Sequence, residues 1–115
     1  MAGPASLLVS KLHKLAERLD EPGRLKDKDA LDVLRILRAV PTADLAERLR
    51  RLQTDSRAAA VTAEAIGQLQ ALFGTPDAPG SGFAARALEA LDPADTIKAS
   101  CAALCQDLLS VLKRP

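Results

Sequence analysis

Apolar residues recur along this chain at the three- and four-residue spacing of amphipathic helices. The first apolar seam consists of four leucines, Leu8, Leu12, Leu15 and Leu19. This seam predicts a helix over about residues 5–20, which Pro22-Gly23 should end because proline lacks an amide donor and glycine permits a turn. A second apolar face predicts another helix over about residues 27–39, stopped by Pro41.

The remaining residues, 42–114, continue the same helical pattern. Their apolar spacing predicts helices over about 42–53, 62–73, 83–91 and 93–113, with Thr62 and Asp92 as caps. The stretch Gly74–Gly82 is rich in glycine and proline and predicts a loop. The pattern therefore predicts an all-α protein, a compact bundle of about five to six helices without a sheet, in which residues 1–115 form a single helical domain.

Composition strengthens this prediction. The 115 residues include 22 Ala and 20 Leu but only 5 Val, 3 Ile and 2 Phe, with no Tyr or Trp. Residues that favour strands are therefore scarce, which excludes an all-β domain and argues against an α/β domain. The 16 Lys and Arg nearly balance 15 Asp and Glu, and the pI is about 7.8. This balance and the scarcity of aromatic residues give no strong nucleic-acid signal.

The sequence also bears on compartment and on cysteine chemistry. No apolar run is long enough to predict a membrane span, and Met1-Ala2-Gly3-Pro4 does not begin a signal peptide, so we expect a cytoplasmic protein. Cys101 and Cys105 lie four residues apart on one helix, which favours small buried side chains over a disulfide. The single histidine, His13, points away from the first seam and is expected to be exposed.

The first two helices carry the residues of greatest chemical interest. Lys11 and Arg18 lie on one flank of the first apolar seam, whereas Asp29 lies on the apolar face of the second helix and Asp32 at its border. Burying an unpaired carboxylate is costly, and a place in the first helical turn is one reason for Asp29 to lie there. Antiparallel packing would bring the end of one helix beside the start of the next. A structural salt-bridge network and a binding site are both compatible with this pattern.

Two segments in these helices resemble a known family. The first runs from Pro4 to Leu15 and ends in Lys11-Leu12-His13-Lys14-Leu15. The second runs from Lys28 to Arg35 and opens with Lys28-Asp29-Ala30-Leu31-Asp32. Together with Arg18 they resemble the helical half of the AbiEii-type nucleotidyltransferases, the toxins of a class of abortive-infection and toxin–antitoxin systems. In that family a helix with Lys-Leu-x-Ala/Lys-Leu precedes a helix that opens with Lys/Arg-Asp-x-x-Asp-Leu. The resemblance covers about residues 4–39.

The resemblance implies a nucleotide-binding role for these side chains. Lys11 would contact nucleotide phosphates together with Arg18, while Asp29, with Asp32 near it, would complete the active-site cleft. The family's reaction transfers a nucleotidyl group from a nucleoside triphosphate with the help of Mg²⁺. Its metal ligands lie in an earlier α/β domain, in a Gly-Ser segment followed by Asp-x-Asp on a strand. Gly80-Ser81-Gly82 lacks the Asp-x-Asp, and a flexible linker explains it better.

We therefore expect this chain to bind no cofactor and to catalyse no reaction by itself. The partner that the resemblance implies is a missing or separate nucleotidyltransferase catalytic domain, or a cognate antitoxin. The alternative interpretation is a standalone helical protein-interaction or regulatory module, antitoxin-like, with no nucleotide site.

Overall fold

The computed structural model describes residues 3–114 as a bundle of six helices with no strand. The helices are α1 (Pro4–Glu17), α2 (Leu25–Ala39), α3 (Thr42–Thr54), α4 (Ala59–Phe73), α5 (Pro79–Ala87) and α6 (Ala94–Lys113). The predicted all-α class is thus confirmed. Met1 and Ala2, on which the signal-peptide prediction partly rests, and Pro115 lie outside the described residues.

The hydrophobic core draws side chains from all six helices. Leu15, Leu34 and Phe73 are fully buried in it. Helix α6 packs against α3, α4 and α5, and α2 lies between α1 and α5. Helix α2 offers one flank to α1 and the other to α5, makes a smaller contact with α6, and exposes its outward face to solvent. No helix in the described part of the chain is both long and apolar enough to cross a membrane.

Helix α5 begins earlier than the glycine-rich sequence predicts. Pro79 is its first residue, so Gly80 and Ser81 lie inside the helix and are buried. A Cβ on Gly80 would lie 2.6 Å from the carbonyl oxygen of Leu72, so glycine allows α5 to pass close to the end of α4. The Ser81 hydroxyl donates a hydrogen bond to the Thr75 carbonyl at 2.9 Å. The flexible-linker prediction is therefore wrong, because a close tertiary contact outweighs local composition.

Two other helix starts also differ from prediction. Helix α4 begins at Ala59, and Thr62 is a buried residue inside it instead of its cap. The carboxylate of Asp55 accepts a hydrogen bond from the Arg57 amide at 2.8 Å, which stabilises the turn that leads into the earlier start. Helix α6 begins at Ala94 with Pro93 at the cap position, one residue later than predicted.

Candidate functional site

A short connection places α1 and α2 side by side in opposite directions. The amide of Arg18 bonds back to the carbonyls of Lys14 and Leu15 and ends α1. Gly23 follows with φ of 94°, a left-handed conformation that other residues rarely adopt. The C-terminal half of α1 therefore meets the first turns of α2, as the antiparallel interpretation predicts.

All four residues that the resemblance assigns to the site come together at this contact. Lys11 Nζ lies 2.9 Å from Asp32 Oδ2 and 3.8 Å from Asp29 Oδ1. Arg18 Nη1 donates to Asp29 Oδ2 at 2.6 Å. Arg35 on α2 adds a looser ion pair, with Nη1 3.9 Å from Asp32 Oδ1. We call the set Lys11, Arg18, Asp29 and Asp32 the α1–α2 network.

Burial is uneven within the α1–α2 network. The Asp29 side chain is 5% exposed, compared with 21% for Lys11 and 32% for Arg18. A carboxylate so far from water needs compensating charge, and Lys11 of α1 and Arg18 at its C-terminal cap supply it. The first-turn explanation does not hold, because Asp29 is the fifth residue of α2 and no side chain caps that helix. Pairing across the helix contact is therefore what stabilises the buried charge.

A second buried acid, Asp27, lies on the opposite flank of α2 and is not among the predicted site residues. It is 3% exposed, and Arg86 of α5 holds it with Nε 2.9 Å from Oδ2 and Nη2 2.7 Å from Oδ1. The hydrogen bond to Asp27 raises the pKa of Arg86 above its usual value. The sequence does contain a signal of this burial, because Asp27 lies three residues before Ala30 and seven before Leu34 and so shares their helix face.

His13 is half-buried against α4, contrary to the predicted exposure. Its Nε2 lies 3.1 Å from the Val61 carbonyl oxygen, which can only accept, so Nε2 carries the proton in this contact. Nδ1 then accepts from Gln68 Nε2 at 3.4 Å. The histidine thus links α1 to α4. Its partners are 48 and 55 residues away in sequence, so periodicity could not reveal these contacts.

The two cysteines are buried free thiols, as predicted. Burial raises the pKa of Cys101 to about 11 and that of Cys105 to about 12. Both therefore stay protonated near neutral pH and are poor nucleophiles. Among residues 3–114, no three or more His, Cys, Asp or Glu side chains are grouped closely enough to hold a metal ion.

Two open depressions, of about 190 and 210 Å³, lie along α3 and away from the α1–α2 network. Arg48 and Arg51 line both of them. The first also includes Gly3 and Ser6 at the start of α1, and none of the network residues lines either depression. The network itself is formed by the ion pairs that join α2 to Lys11 of α1 and to Arg18 at the end of α1.

The fold and these contacts define an all-α bundle whose second helix is joined by buried ion pairs to the helix on each side. Comparison of the chain with protein-family models, with curated proteins and with solved structures gives no match. The AbiEii resemblance accordingly stays a prediction based on the two short segments in α1 and α2.

Proposed function

We propose that this chain is a non-catalytic helical module that acts by binding another protein, and that the α1–α2 network holds its first two helices together. The observation that carries the proposal is the pairing of both cations within the network. Arg18 bonds to Asp29 at 2.6 Å, and Lys11 lies 2.9 Å from Asp32. Neither cation is left without a carboxylate.

A cation that carboxylates already compensate attracts a phosphate less strongly than an unpaired cation does. A triphosphate approaching Lys11 would meet the carboxylates of Asp29 and Asp32 within 4 Å of the same ammonium group. Displacing Arg18 from Asp29 would leave a carboxylate that is 5% exposed without its closest partner, which is strongly unfavourable. These charges favour a structural role for the network over a nucleotide-binding role.

Titration with nucleoside triphosphates and Mg²⁺ tests this assignment directly. We expect no saturable binding to the wild-type chain, and a loss of stability in Lys11→Ala because Asp32 loses its closest cation. Lys14→Ala is the matched control, since Lys14 is exposed on the same helix and outside the network. Saturable triphosphate binding that Lys11→Ala abolishes and Lys14→Ala preserves would contradict the proposal.

The protein-binding half of the proposal needs a purified partner. Cross-linking of the full chain in its native cells, followed by reconstitution with the captured protein, should give a stable complex at defined concentrations. The Lys11→Ala chain should form the same complex as long as it is folded, because the network acts within the bundle. A reconstituted complex that fails to form with the wild-type chain would count against the proposal.

A second candidate is the helical half of a nucleotidyltransferase. It is favoured by the convergence of Lys11, Arg18, Asp29 and Asp32, the residues that the resemblance assigns to one site. In that case a catalytic domain with the family's Asp-x-Asp segment would supply the metal ligands. Mixing the chain with such a domain should then produce nucleotidyl transfer that Lys11→Ala reduces and Lys14→Ala does not.

A further inference from the structure

We propose that the outward face of α2 is a docking surface for an acidic segment of a partner protein, an inference that rests on the proposed protein-binding function. On α2, the negatively charged and the exposed positively charged side chains lie on different faces of the helix. Its three aspartates all face neighbouring helices and are ion-paired there. Its exposed charges are all cations, Lys28, Arg35 and Arg38, and we call these three residues the basic strip.

This separation follows from the position of α2 between two helices. Asp27 is turned towards α5, where Arg86 binds it, while Asp29 and Asp32 are turned towards α1. The third flank of α2 is left for the basic strip. Lys28 and Arg35 are seven residues apart, which on a helix is two turns or about 10 Å. Leu31 is half-buried between them and offers an apolar contact.

The basic strip carries charge that the protein itself leaves largely uncompensated. Within residues 3–114, neither Lys28 nor Arg38 lies within 4.0 Å of a carboxylate oxygen, and Arg35 has only the 3.9 Å contact with Asp32. Lys14, exposed on the neighbouring α1, adds another such cation. The overall charge of +1 therefore conceals a basic face, because Asp27 and Asp29 are buried. Charge complementarity favours an acidic occupant.

Several observations favour a short protein segment over a nucleic acid as that occupant. Exposed acids such as Glu17, Glu64 and Asp107 lie on other helices and would repel an extended polyanion. Phe73 is fully buried and Lys26 lies 5.4 Å above the ring of Phe83, so neither aromatic ring is available for base stacking. The expected occupant has two carboxylates about two helical turns apart and an apolar side chain between them.

A synthetic acidic peptide provides the probe. We would use a fluorescein-labelled helical peptide of about 15 residues, with glutamates seven positions apart flanking a leucine. Anisotropy should show saturable binding that weakens as salt rises from about 50 to about 500 mM. Amide NMR shifts should concentrate between Lys28 and Arg38. The triple variant K28E/R35E/R38E should bind roughly tenfold more weakly, or worse, with its helicity unchanged.

A matched triple variant elsewhere on the surface controls for net charge. The substitutions R48E/R57E/K113E reverse three exposed cations on or beside other helices and should leave peptide affinity unchanged. Three results would overturn the docking surface: no saturable binding, equal weakening by both triple variants, or NMR shifts away from the strip. Tighter binding of short duplex DNA or of inorganic tripolyphosphate at the strip would overturn the choice of a protein segment.

Failure of the docking surface is distinguishable from failure of the proposed function. The basic strip excludes Lys11, so magnesium–triphosphate binding that depends on Lys11 refutes the non-catalytic module and leaves the peptide result to be judged separately. Conversely, a purified partner that binds both triple variants as tightly as each other would support the protein-binding function. The same result would refute the basic strip as the docking surface.

Discussion

Removal of the negative charge of Asp29 is the sharpest test of the α1–α2 network. The substitution Asp29→Asn keeps the size of the side chain and abolishes its ion pairs with Arg18 at 2.6 Å and with Lys11 at 3.8 Å. Hydrogen bonds to charged groups contribute about 1.5–3 kcal/mol, and breaking a fully buried pair costs about 3–5 kcal/mol.

The loss of stability expected for Asp29→Asn is smaller than the cost of breaking a fully buried ion pair, for two physical reasons. The Arg18 side chain is 32% exposed and regains water when its partner is neutral, while Lys11 keeps its 2.9 Å contact with Asp32. Burial of a neutral asparagine side chain also costs less free energy than burial of a carboxylate. We therefore expect Asp29→Asn to lower the free energy of unfolding by about 1–2 kcal/mol, or Tm by about 4–8 °C.

Urea unfolding followed by far-ultraviolet circular dichroism measures this loss. A double-mutant cycle with Arg18→Gln should give a coupling energy of about 1–2 kcal/mol. About 1 M salt should leave most of the coupling in place, since the Asp29 side chain is only 5% exposed.

The exposed pair Glu47–Arg51 serves as the control for this cycle, at 63% and 74% side-chain exposure. Glu47→Gln should cost no more than about 0.5 kcal/mol, and salt should remove the effect. An Asp29→Asn loss below about 0.5 kcal/mol, or zero coupling with Arg18, would refute the structural role of the network. Lys11 and Arg18 would then be available for a ligand, as the nucleotidyltransferase candidate requires.

Three further predictions concern the core. Leu34→Ala should lower the free energy of unfolding by about 2–5 kcal/mol in urea titrations, because the side chain is fully buried. Gly80→Ala should cost about 1–3 kcal/mol in the same assay, since its Cβ would lie 2.6 Å from the Leu72 carbonyl. Cys101 and Cys105 should resist a thiol reagent at about pH 8 until the chain unfolds. Because burial raises both thiol pKa values from 9.0, their contribution to stability is complete below that pH and declines as pH rises towards 11 and 12.

The helices were predictable where periodicity alone determines them. The leucine seam of α1 and the apolar face of α2 lead to bounds within a few residues of those observed, because a buried stripe repeats every three or four residues. The start of α5 was not predictable in this way. Gly80 belongs to a helix because its missing side chain admits Leu72 and Phe73, and both contacts come from another helix.

The candidate site was predictable only as far as its residues share a helix face. The position of Asp29 on the apolar face of α2 follows from spacing, but its distance to Lys11 depends on how two helices cross. The pairing of Asp27 was not predicted because its partner, Arg86, is 59 residues away in sequence. His13 was misplaced for the same reason, since the groups that bind its ring belong to α4.

The two buried acids of α2 also explain how this helix presents its exposed face. Burial of its apolar face determines the rotation of α2 about its axis only coarsely, whereas an ion pair with hydrogen-bond geometry restricts the rotation more closely. Asp27 binds Arg86 on one flank and Asp29 binds Arg18 on the other, so the two pairs fix the rotation of α2 from both sides. We infer that these two ion pairs keep the basic strip on the outward face of α2. The acidic residues that balance the charge of the chain therefore also determine where its exposed cations lie.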